Sequence, residues 1–175
     1  MPVPVINEIS IERFEMKKTL YILPFAILLI LSCGPYSFHG TSLPGISTIA
    51  IPPFQNQTAE YGLSDKLTEE LVDRFVQDNI LKVSNLKSAD AVLYGAVSKY
   101  QRRAYTYDEQ ENIKEYISEV YVKVWLEDNK KKKKLWEDDL RGWGVYSISE
   151  EEETGKQRAI DKLVQDITNR TVKSW

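Results

Sequence analysis

The chain has 175 residues, 23 basic against 26 acidic, for a formal net charge of −3, with 42% apolar residues, ten Tyr and four Trp. That length suits one domain, or at most two small ones; the missing basic excess argues against a dedicated nucleic-acid binder, and the aromatics argue for a folded chain. One Cys and one His exclude an intramolecular disulfide and all but close the class of structural zinc sites, which draw on several such ligands.

Residues 20–31 (LYILPFAILLIL) form an apolar run broken only by Pro24, preceded by Met16-Lys17-Lys18 and followed by Ser32-Cys33-Gly34. The run is too short to span a bilayer as a helix, which takes about 20 residues. A short positive region, an apolar stretch and then small residues is the pattern of a secretory signal peptide. The segment also resembles the bacterial lipoprotein signal, whose Cys follows a three-residue box. Here the box is Ile30-Leu31-Ser32 before Cys33, with Ser32 a good match and the other two looser. This resemblance implies that Cys33 is lipidated and becomes the N-terminus after cleavage. Two or three acyl chains hold a protein on a membrane where one barely does. The expected organisation is an untranslated or dispensable extension (1–15), a signal peptide (16–32), a lipidated tether (33–45) and a single α+β domain (46–175).

Within that domain, residues 47–54 (STIAIPPF) alternate and are stopped by Pro52-Pro53, which predicts a short strand. Residues 62–78 predict a helix, with Leu63, Leu67, Leu71 and Phe75 recurring every four residues and Val72 and Val76 widening the stripe. A short apolar piece at 81–84 leads to a turn at 85–88. Three strands are predicted over 91–107, 115–128 and 135–148. In the second, Val120, Val122, Val124 and Leu126 face one way and Tyr121, Lys123 and Trp125 the other. Asp128, Asn129 and the lysine run make a hairpin connection. The last element is a helix with Ser149 and Glu152 as a capping box and Ile160, Leu163, Val164, Ile167, Thr171 and Trp175 on one face. The order β-α-β-β-β-β-α is an α+β pattern with two amphipathic helices on one face of a sheet.

The string Cys33-Gly34-Pro35-Tyr36-Ser37-Phe38-His39-Gly40 resembles the opening of lipopolysaccharide-assembly lipoproteins of the LptE family. Residues 46–58 (ISTIAIPPFQNQT) are similar to that family's first strand and its Pro-Pro-Phe-x-Asn-x-Thr turn, and 62–75 and 89–95 (ADAVLYG) continue the match. The resemblance implies an α+β domain of two helices on a roughly four-stranded sheet, tethered to the inner leaflet of the outer membrane. It also implies a role as plug and assembly partner of an LptD-like β-barrel that delivers lipopolysaccharide to the cell surface. The same strand, turn and helix pattern is similar to other envelope lipoproteins, among them activators of peptidoglycan synthases and subunits of secretion channels.

No catalytic set stands out. The carboxylates of 150–153 suit a helix start, no Gly-rich phosphate loop or nucleophile elbow occurs, and neither a cofactor nor a metal is expected. Asn56 and Asn169 fit glycosylation sequons but read as a turn residue and helix surface. The basic residues Lys130, Lys131, Lys132, Lys133 and Lys134, with Lys99, Arg102 and Arg103 as a second group, are the candidate contacts for the phosphates and carboxylates of lipopolysaccharide. The plainer reading of the lysine run is a solvated turn that discourages edge pairing.

Overall fold

The computed structural model describes residues 45–79 and 81–173, all of them within one compact unit, Thr41–Trp175. Cys33, the apolar run and Trp175 lie outside the described residues. Chain order is β1 (Thr48–Ala50), β2 (Gln55–Asn56), α1 (Leu63–Asp78), β3 (Lys82–Val83), β4 (Ala91–Tyr107), β5 (Ile113–Asp128), β6 (Lys133–Ser147) and α2 (Glu152–Lys173). The strands form one sheet in the order β3-β1-β4-β5-β6, and β2 also pairs with β4. β1 runs parallel to both β3 and β4, while β4, β5 and β6 form an antiparallel meander.

The α+β class holds, but the sheet has six strands where about four were expected. The two extra strands are the short edge strand β3 and a piece split off at Pro52-Pro53. Proline donates no ladder hydrogen bond, so the predicted strand over 47–54 stops at Ala50 and pairing resumes as the two-residue β2 beside Ala96 and Val97. Here the motif residues do structural work. Phe54 is buried and seated over Gly95, where an added Cβ would stand 2.2 Å from the Phe54 ring. Asn56 closes a turn, accepting from the Thr58 backbone N–H and hydroxyl and donating to the Glu60 carbonyl.

Helix α1 follows a left-handed Gly62 and buries Leu63, Leu67, Leu71 and Phe75, the predicted stripe. Val76, expected to widen it, is 60% exposed, because the four-residue recurrence rotates slowly around the helix and carries its flank off the sheet. Helix α2 buries Ile160, Leu163, Val164, Ile167 and Thr171. The Ser149–Glu152 capping box is not formed. The helix begins at Glu152 itself, Ser149 pairs with the Ser147 hydroxyl, and Glu150 reaches back to the Ser147 N–H and across to Arg158.

Both helices share one core with the inward faces of β4 and β5, including Leu93, Val97, Val120, Val122, Val124 and Leu126. On β4 the inward set is Leu93, Gly95 and Val97, then Tyr100 and Arg102, because a bulge at Ser98 shifts the phase by one residue. Lys66 to Glu153 and Lys156 to Glu60 pair the N-terminal half of α1 and its approach to α2.

Candidate functional site

With both helices on one side, the other face of the meander carries no helix among the described residues. The uncovered positions are Tyr94, Lys99 and Arg103 on β4, Glu119, Tyr121, Lys123 and Trp125 on β5, and Glu137, Arg141 and Trp143 on β6. They form an interlocked aromatic and charged layer. Tyr94 stacks on its cross-strand neighbour Trp125 at 5.6 Å between ring centroids, the pairing that aromatic neighbours in a sheet favour. Lys134 stands 5.8 Å from the Trp125 centroid and Lys99 5.2 Å from that of Tyr121. Lys123 and Lys134 both pair with Glu137, holding its carboxyl at about 2.

Further along the same face, Glu119 is buried and bridges Arg103 at 2.9 Å and Arg141 at 3.3 Å, tying all three long strands together. Trp143, opposite Glu119 in the ladder, is 41% exposed. The predicted alternation of β5 holds, and it places Trp125, Tyr121 and Lys123 on this uncovered face.

The basic residues expected to act together are separated. Arg102 and Arg103 are neighbours in an extended strand and therefore point to opposite faces. Arg103 lies on the uncovered face with Glu119. Arg102 lies on the helix side, 3.9 Å from the Tyr116 centroid, donating to the Tyr146 hydroxyl at 2.6 Å and pairing with Glu152 at 3.4 Å. Next to it the Tyr100 hydroxyl donates to Glu152 at 2.6 Å and bonds Ser118, and burial followed by that carboxylate pushes its pKa up. Arg102 thus helps seat the start of α2 on the sheet. The lysine run is at the opposite end of the meander. Arg102 pairs with Ser118 in the ladder while the run follows Asp128, a separation of about 33 Å at 3.3 Å per residue.

At that far end, the β5–β6 turn is built on two carboxylates. Asp128 accepts from the backbone N–H groups of Lys130 and Lys131 at 3.0 and 2.8 Å. Asp90 accepts from the backbone N–H and hydroxyl of both Ser47 and Thr48 and from Lys130 Nζ at 2.6 Å. Those five donors, the Lys130 ammonium foremost, hold the Asp90 carboxyl well below the usual range. Asn129 adds bonds to the carbonyls of Leu86 and Ala89. Lys130 and Lys131 remain 75% exposed while Asp90 and Asp128 sit behind them at 14% and 11%. Lys132 bonds Asn129, Lys134 pairs with Glu137, and Lys133 has no ion pair among the described residues. Sequence reasoning missed Asp90 as the organiser of this end; its only signal was the Ala-Asp-Ala string at 89–91.

Among the described residues no helix is long and apolar enough to cross a membrane. Residues 46–171 match the LptE family, described as lipopolysaccharide-assembly. No curated protein matches the chain. Three solved structures are similar in fold. A protein from Xanthomonas campestris is 9% identical with a TM-score of 0.57, covering 73% of this chain and 84% of that one. A hypothetical protein from Chlamydia trachomatis is 11% identical at 0.53, covering 72% and 98%. The uncharacterized lipoprotein B from Nitrosomonas europaea is 16% identical at 0.51, covering 73% and 83%.

Proposed function

Since the chain belongs to the lipopolysaccharide-assembly family, we propose that it is an outer-membrane lipoprotein serving as plug and assembly partner of an LptD-like β-barrel that translocates lipopolysaccharide. Residues 16–32 are the signal peptide, Cys33 carries the lipid, 33–45 are the tether, and the domain from 46 onward faces the periplasm or the barrel lumen. The role is not enzymatic: the domain acts by occupying and holding a partner. The observation that carries this reading is the family match across nearly the whole domain. The uncovered sheet face supports it, since the half-buried Tyr94, Tyr121 and Trp125, the exposed Trp143, and Arg103 and Arg141 are of the residue types enriched at protein interfaces. Lipopolysaccharide, an anionic lipid, is met by basic side chains drawn from Arg102 and Arg103.

The test is to extract the tagged full chain from outer membranes in mild detergent and identify what co-purifies. A stoichiometric β-barrel is the expected result, with depletion of the chain lowering surface lipopolysaccharide and raising permeability to hydrophobic compounds. Recovery of a peptidoglycan synthase or a secretion channel instead, with permeability unchanged, would replace this reading by a regulatory or secretory one.

A further inference from the structure

The point where the chain enters the domain and the tip of the β5–β6 hairpin converge on one carboxylate. Ser47 and Thr48 at the start of β1 and Lys130 on the turn all bind Asp90. The topology dictates this, because β1 is parallel to β4 and enters beside Ala91, and Ala91 pairs with Asp128 at the base of the turn. The chain therefore enters the described domain beside the lysines. The eleven residues between Cys33 and Gly45 limit the reach from the point of entry to about 40 Å at most. The β4–β5 turn at the other end stands about 50 Å from that point, along a strand of 17 residues.

We propose that the lysines 130–134 rest on the anionic phospholipid headgroups of the leaflet that holds the lipid anchor, and so set which end of the domain faces the membrane. This rests on the reading of Cys33 as the anchored residue. The charges are disposed for it. Asp90 and Asp128 are turned inward and held by backbone donors together with Lys130 and Lys131, so the outermost groups of the turn are ammonium ions, with Lys87 exposed on the adjoining 86–88 turn. Lysine presents a compact, mobile point charge, suited to headgroup phosphates that hold no fixed geometry. An acyl anchor alone sets distance from the bilayer; a basic tip added to it sets orientation, and two such signals bind together where one is weak. Arg102 and Arg103, about 33 Å away, are left to a different ligand.

The experiment places the photo-crosslinking residue p-benzoylphenylalanine at Lys133 in one version of the full chain and at Gln110, in the opposite turn, in another. Each is reconstituted in mixed vesicles of phosphatidylglycerol and phosphatidylcholine, with either lipid or added lipopolysaccharide labelled in turn. The probe at 133 is expected to capture phosphatidylglycerol at least fivefold more than the probe at 110, the factor for one lysine at a charged surface. Capture should fall several-fold in high salt and when Lys130, Lys131, Lys132 and Lys134 are replaced by Gln, and recover when the same four are replaced by Arg. Equal capture at 133 and 110, no dependence on the four lysines, or capture of labelled lipopolysaccharide in place of phospholipid would each overturn the proposal. Failure of the anchor reading is read separately: the mass of Cys33 from the same sample would show no acyl group, whatever the crosslinks report.

Discussion

Gly142 and Ala159 are packed backbone to backbone: a Cβ on Gly142 would stand 2.1 Å from the Ala159 carbonyl oxygen and 2.6 Å from Leu163 Cγ. Gly144 meets the Gly155 carbonyl in the same way at 2.2 Å. Strand β6 thus presents a smooth strip into which α2 sinks. Gly142→Ala should push the helix outward and cost about 3 kcal/mol, read as a lowered urea midpoint. An unchanged midpoint would mean that the helix does not sit in this strip.

Phe54 and Gly95 should behave as one unit. Phe54→Ala leaves a hole over Gly95 and is expected to cost about 3–5 kcal/mol, while Gly95→Ala alone drives a methyl into the ring. In the double variant the new methyl enters the vacated space. Its destabilisation should be smaller than the sum of the two, by about 1 kcal/mol or more in a double-mutant cycle. Simple additivity would argue that ring and glycine do not touch.

Asp90 predicts a pH dependence. Its folded pKa is depressed below the unfolded value, so its stabilising effect is present above about pH 4 and fades as pH falls through the folded value. At pH 7 Asp90→Asn should unfold at lower urea than the parent, and the gap should narrow steadily as both are titrated below pH 4. Glu137, with its carboxyl at about 2, is common to both proteins and leaves the difference to Asp90. A gap that stays constant down to pH 2 would contradict the assignment.

Glu119 and its two arginines should respond asymmetrically. Glu119→Gln leaves Arg103 and Arg141, each about half exposed, free to turn to water, and should cost about 1–2 kcal/mol. Replacing both arginines by Gln strands a buried carboxylate and should cost about 3 kcal/mol or more. Calorimetric or urea unfolding of both variants decides it; equal costs would show that Glu119 finds water or another donor.

Much of the fold is legible where one periodicity dominates. The predicted β4, 91–107, matches the observed strand, and the alternation from Val120 to Leu126 assigns both faces of β5. Signals fail where two residues far apart in sequence determine each other. Gly95 has no visible reason for its place in β4 until Phe54 is found on top of it. Lys99, Arg102 and Arg103 look like one basic group although strand alternation turns Arg102 and Arg103 to opposite faces, and the bulge at Ser98, which decides which of them meets the helices, leaves no local mark. Ser149 and Glu152 have the spacing of a capping box, yet the tight exit from β6 takes Ser149 and Glu150 for its own hydrogen bonds. Asp90 is invisible as an organiser because its five donors lie 40 to 43 positions away, Ser47 and Thr48 brought in by the parallel insertion of β1 and Lys130 by the β4–β5 pairing.

The insertion of β1 between β3 and β4 has a mechanical meaning. A pull passed along the backbone into Thr48 reaches the interior of the sheet, not a free edge. The load then runs parallel to the strand, across bonds to β3 on one side and β4 on the other, with Asp90 gripping both Ser47 and Thr48 at the point of entry. Bonds loaded side by side in shear must give way together, whereas an edge strand peels one bond at a time. The domain is therefore built to resist tension applied at Thr48, where the chain enters the sheet.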